Sequence, residues 1–380
     1  MTDIRIADLA HPELTDEQRA AIARAAAVPV TLTEEAVLDA ARRQTGLDDF
    51  GSDDFRPRLR VWLATVNEDE RMNAVGRLGL YASCVRFLAN RLKLTALLAR
   101  HPEIWDMPIR RPIIVAGLPR SGTTHLLNLM AADTRLRSLP YWESLEPIPT
   151  RGEGPGRDGR DPRYLRCLVA YEQASARLPF LKAMHDMPPE HIHEEVELLD
   201  LDVASYQLEW VCHAPRWRDH YLSLDMRPHY AYLRTVLQAL QWLRGPDRWV
   251  LKSPQHLEQL LPLRDTFPDA TIVLTHRDPG LVQGPPPGQR GLANRLGQLR
   301  RGHSLWVAGQ GLQQRPRTAG VCHMGPSFLG VSALFPPRAR RAPRRCLGLA
   351  GGRSGRCRVA GRRLVSRRCL RGFWPLRTGH

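Results

Sequence analysis

PIIVAGLPRSGTTHLLNLM, residues 112–130, decides the fold. An apolar run ends at Gly117, a short polar turn follows, and helical periodicity resumes from Thr123. Gly117 to Thr124, GLPRSGTT, matches the phosphate-loop pattern GxxxxGK-Ser/Thr at both glycines and at Thr124, but Thr123 stands where the lysine belongs. In a strand–turn–helix setting the amides of the helix start face an anion, and the helix dipole favours its charge. Arg120 adds a planar cationic fork suited to phosphate or sulfate oxygens, and Thr123 and Thr124 add hydroxyl donors. The stretch predicts an anion cradle that lacks its usual lysine.

Outward from this loop, RWVLK (248–252) and ATIVLTHR (270–277) have the apolar, β-branched character of buried strands. PQHLEQLLPLRDTF between them has helical periodicity, so the three segments predict a parallel crossover. The fold class is therefore α/β, a central parallel sheet flanked by helices with ligands at the carboxyl ends of its strands. The first hundred residues are helical in pattern. Thr15 with Gln18 and Thr31 with Glu34 have capping-box spacing, and Gly46 is a stop. A long amphipathic segment from Arg71 to Arg100 ends at His101-Pro102. HEEVELLDLDVASYQLEW and PHYAYLRTVLQALQWLRG also have helical patterns, and residues 151–163 form a loop rich in Gly, Asp and Arg.

The net charge of +16 is unevenly distributed. Residues 281–380 hold 20 arginines and no Lys, Asp or Glu, which leaves residues 1–280 with 35 basic and 39 acidic side chains, a net of −4. The basicity thus belongs to a tail that also carries 17 of the 29 glycines. Such a tail fits either a basic arm for nucleic acid or GC-rich coding text translated out of frame, and it predicts no regular structure. The seven cysteines lack CxxC or CxxxC spacing, which argues against a zinc site or a disulfide framework. No apolar run is long enough to span a membrane and no secretory leader is evident, so the expected location is cytoplasmic.

Nucleoside-triphosphate chemistry normally needs the loop lysine and Mg²⁺ held by a strand-end acid. Here WVLK ends in Lys252, and IVLTHRDP reaches His-Arg before its Asp. RPIIVAGLPRSGTT, then YWESLEPIP, RWVLKSPQHL and IVLTHRDP, in this order, resemble the bacterial sulfotransferases related to tyrosylprotein sulfotransferases, over about Ile104 to Pro279. The resemblance implies a P-loop-like sulfotransferase fold and 3′-phosphoadenosine 5′-phosphosulfate (PAPS) as donor. It implies a small-molecule, lipid or glycan hydroxyl as acceptor, with no metal and no specific nucleic-acid partner. It also implies that Arg120, Ser121, Gly122, Thr123 and Thr124 hold the 5′-phosphosulfate, Lys252 the bridging oxygen and Arg277 the 3′-phosphate. Glu143 would be the general base, with Glu146 as fallback.

One departure stands out. The family places a serine eight residues after the arginine of HRDP, where this chain has Pro285. Motif and composition thus break at the same place, which favours the shifted frame. The implied organisation is a helical region over 1–103, a donor-binding α/β domain over 104–282 that is incomplete at its end, and a non-family tail over 283–380. A P-loop kinase and a nucleic-acid-binding protein acting through its tail are the alternatives. In HDMPPEHIHEEVELL (185–199), His191, His193, Glu194 and Glu195 lack the HExxH spacing of a metal site. They fit the start of a helix or the wall of an acceptor pocket.

Overall fold

A computed structural model describes residues 13–276, apart from Arg71, Arg120, 179–181, 183–184 and Asp247, together with the backbone of Gly330–Leu334. Four helices come first: α1 (Asp16–Ala26), α2 (Glu34–Thr45), α3 (Phe55–Glu68) and α4 (Ala74–Arg100). The expected capping box forms at Thr15, whose hydroxyl accepts the Gln18 amide while the Gln18 side chain accepts the Thr15 amide. The second cap falls on Thr33 rather than Thr31, because it is the Thr33 hydroxyl that accepts an orphan amide, that of Ala36. Gly46 ends α2 at φ 68°, a left-handed conformation that costs glycine little.

The sheet is ordered β2-β3-β1-β4-β5. Its strands are β1 (Ile113–Gly117), β2 (Leu136–Arg137), β3 (Arg248–Lys252), β4 (Thr271–His276) and β5 (Gly330–Leu334). The first four run parallel, and β1 lies between β3 and β4, so the crossover from β3 to β4 passes the central strand. Helix α5 (Thr123–Ala131) follows β1, and α6 (Tyr141–Leu145) and α7 (Pro162–Arg177) follow β2. Next come α8 (Val196–Leu199), α9 (Pro215–Ser223) and α10 (Arg227–Leu243), with α11 (Leu260–Thr266) between β3 and β4.

Three expectations need correction. HEEVELLDLDVASYQLEW is not one helix: α8 passes into a 3-10 turn at Asp200–Asp202, Val203 takes φ 49°, and a second 3-10 turn covers Tyr206–Glu209. The carboxylates in this stretch bind distant side chains, and those contacts override the local helical pattern. PQHLEQLLPLRDTF is likewise split, into a 3-10 turn at Pro254–Leu257 and α11. The tail does carry regular structure at β5, antiparallel to β4, where the edge of the sheet offers a free row of amides and carbonyls. The rest of the tail, with Pro285, lies outside the described residues.

One buried carboxylate ties the helical layer together. Asp202 receives Arg58 of α3 at 2.8 Å and Arg91 of α4 at 3.0 Å on one oxygen, and meets His229 of α10 at 2.6 Å on the other. Arg91 continues to the Phe50 carbonyl at 2.8 Å and packs over the rings of Phe55 and Tyr232. A charge buried this deeply is tolerable only while its partners are present. Asp202→Asn is therefore expected to lower the unfolding free energy by about 3 kcal/mol or more in urea titration.

Candidate active site

The loop after β1 closes around a position where no side chain fits. A Cβ on Gly117 would lie 1.9 Å from the Thr275 hydroxyl oxygen and within 3 Å of Thr123 and Ser121. Register puts Gly117 directly opposite Thr275 on β4. The Ser121 hydroxyl, buried, lies 2.6 Å from the Leu118 carbonyl and 2.7 Å from the Thr275 hydroxyl, which pins the turn to β4. Gly122 adopts φ 92° at the N-cap of α5, a conformation that strains any L side chain. Thr123, buried, opens the helix. Arg120 lies outside the described residues, as does Arg277.

An ammonium from the neighbouring strand lies beside the loop. Lys252, the last residue of β3 and only 2% exposed, brings Nζ within 3.3 Å of the Thr124 hydroxyl. The same ammonium contacts the Glu194 carboxylate. The Lys252 backbone amide donates to Glu195 at 2.8 Å, and the other Glu195 oxygen meets His256. His256 in turn contacts the Tyr230 hydroxyl at 2.7 Å, so a chain of fully buried groups locks the end of β3. Burial would raise the Glu195 carboxyl, but His256 and the Lys252 amide outweigh it and hold the group below the usual carboxylate range.

The turn bearing the two glutamates is held beside the end of β2. Pro140 and Ile192 form an antiparallel bridge, the His193 amide donates to Leu139 at 2.7 Å, and the Tyr141 amide donates to His191 at 2.8 Å. Glu194 and Glu195 do precede a helix, with Glu195 at the N-cap of α8, and their carboxylates reach across to β3. His191 is pushed down to about 4 by burial and then by the positive fields of His193, His185 and Lys252, so its ring is neutral at physiological pH. Among the described residues no group of three His, Cys, Asp or Glu is arranged to hold a metal ion.

Glu143 is not brought to this cluster. It is 2% exposed on α6, ion-paired with Arg137 at 2.8 Å and accepting from Arg244 at 2.9 Å. The Arg137 contact is close but off the line of a hydrogen bond. Arg137 lies in register with Trp249 and stacks on its ring, and Trp249 and Lys252, three residues apart on β3, project to opposite faces. Burial pulls the Arg137 guanidinium down to about 10, against the upward pull of Glu143. Glu146 is likewise committed, to Arg166 at 2.7 Å. Sequence reasoning missed Thr275, His256 and Tyr230 as partners of the loop and of β3.

Residues 112–283 match the model of the sulfotransferase family. The chain resembles the sulfotransferase STF1 from Mycobacterium tuberculosis H37Rv, with 29% identity over 73% of this chain and 80% of that one, at a TM-score of 0.58. It shares its fold with the sulfotransferase STF9 from Mycobacterium avium, at 24% identity, covering 76% and 77% of the two chains with a TM-score of 0.59. No curated protein matches it. Among the described residues, no helix is long and apolar enough to cross a membrane.

The crowding at Gly117 can be tested directly. Gly117→Ala is expected to destabilise the fold by about 1–3 kcal/mol through overpacking, and Thr275→Ala in the same chain should recover part of the loss. Thermal or urea unfolding of the two single variants and the pair measures that coupling.

Proposed function

We propose that the protein transfers a sulfuryl group from PAPS to the hydroxyl of a small-molecule, lipid or glycan acceptor. The observation that carries this reading is the buried ammonium of Lys252 beside Thr124 of the loop. A sulfuryl group carries less charge than a terminal phosphoryl, so fixed protein cations and hydroxyl donors can stabilise its departure. Ser121, Gly122, Thr123 and Thr124, with Arg120, would take the 5′-phosphosulfate. Lys252 would neutralise the charge that builds on the bridging oxygen as the sulfur–oxygen bond breaks. Arg277 would take the 3′-phosphate. The crowded turn at Gly117 supports this assignment, because it excludes a side chain at the start of the loop.

Two measurements test the reading. Calorimetry on the full chain should give binding of adenosine 3′,5′-bisphosphate without a divalent cation, and a preference for ATP with magnesium would replace this function with phosphoryl transfer. Lys252→Ala should lower PAPS turnover roughly 10²–10³-fold, as removal of a single transition-state donor does. Turnover at the unaltered rate would remove Lys252 from the chemistry.

A further inference from the structure

Building on this sulfuryl-transfer reading, we infer that Glu194 is the base that accepts the proton of the attacking hydroxyl. A base for this reaction must lie within hydrogen-bond reach of the group that attacks sulfur. Glu194 is the carboxylate held on the Lys252 ammonium, the same ammonium that lies 3.3 Å from the Thr124 hydroxyl. Base, leaving-group cation and loop hydroxyl therefore meet at one point.

The neighbouring acids are occupied elsewhere. Glu195 is fully buried and engaged by His256 and the Lys252 amide. Glu143 is clamped by two guanidiniums, those of Arg137 and Arg244. Glu146 is bound to Arg166. Glu194 keeps 17% of its side chain exposed, so a substrate can reach it.

The position is a built one. The bridge between Pro140 and Ile192 and the bond from the His193 amide to Leu139 fix the turn, while Glu195 anchors the adjacent residue to β3. The Tyr206 hydroxyl is also buried and has no hydrogen-bond partner among the described residues. Burial, and then the nearby charge of Glu194, push that phenol well above its usual range, so it stays a neutral donor.

The Glu194–Lys252 contact also gives an order to events. With the donor bound, Lys252 turns to the bridging oxygen and leaves the Glu194 carboxylate free to accept a hydrogen bond from the acceptor hydroxyl. The acceptor oxygen then forms the new bond to sulfur and its proton passes to Glu194. The sulfur–oxygen bond to the 5′-phosphate breaks, and its electron pair stays on the phosphate oxygen beside Lys252. The products are the sulfate ester and adenosine 3′,5′-bisphosphate, and the proton leaves Glu194 for solvent.

The test uses the full chain with water as the acceptor, following hydrolysis of PAPS to sulfate and the bisphosphate. Glu194→Gln should bind the bisphosphate as tightly as wild type or more tightly, and should hydrolyse PAPS about 10²–10⁴-fold more slowly, the usual worth of a general base. Sodium formate should restore part of the hydrolysis in Glu194→Ala, whose vacated space admits a small carboxylate. Bisphosphate binding reports that each variant is folded, and Glu194→Asp replaces Gln if it does not bind, with slowed hydrolysis again expected. Hydrolysis by the substituted chain at the wild-type rate overturns the assignment, as does a Glu194→Ala chain indifferent to formate. A wild-type chain that binds the bisphosphate yet leaves PAPS intact overturns it too. A wild-type chain that does not bind the bisphosphate at all overturns the function itself, not the choice of base.

Discussion

A single ammonium, buried where a parallel strand ends, is the constraint around which the site is arranged. Lys252 is 2% exposed, and a lone charge at that depth would be expelled or neutralised. It persists because Glu194 faces it, Thr124 lies beside it, and its own backbone is tied to Glu195. A phosphate loop ordinarily carries its cation on its own helix. Here an ammonium on β3 lies beside the loop, whose own residues include Arg120, two threonines and a tightly packed glycine.

That displacement explains much of the surrounding architecture. If the cation is to reach the loop from another strand, the end of β3 must be fixed to within a fraction of a hydrogen-bond length. The buried chain from Glu195 through His256 to Tyr230 does this, joining the turn after β2 to the 3-10 turn after β3 and to α10. The loop is fixed separately, through Ser121 and Thr275, to β4. Two rigid supports on opposite sides of β1 thus hold one site, and the Asp202 hub secures the helices that carry the first of them.

The sequence was informative where physics is local. The strand before the loop, the glycine at its left-handed turn, the Thr15 cap and the end of α4 at His101-Pro102 all follow from backbone preferences within a few residues. It was least informative where charged side chains act at long range. HEEVELLDLDVASYQLEW has helical spacing, yet Glu194, Glu195 and Asp202 reach for Lys252, His256 and Arg58, and those contacts break the helix into turns. The acid that the family pattern marks as a base, Glu143, is a buried partner of two arginines, one of which follows α10 roughly a hundred residues later.

The amino-acid sequence by itself determined the class of the fold and the chemistry of the loop. Strand periodicity, glycines with special backbone angles and the lack of a loop lysine are properties of short segments and survive without context. Only the tertiary structure decided which cation lies beside the loop and which carboxylate faces that cation. Both depend on strand order: β3 lies next to β1, and the turn after β2 lies next to β3. Contacts between residues 58 and 128 positions apart are set by that packing, and no pattern within either segment contains them.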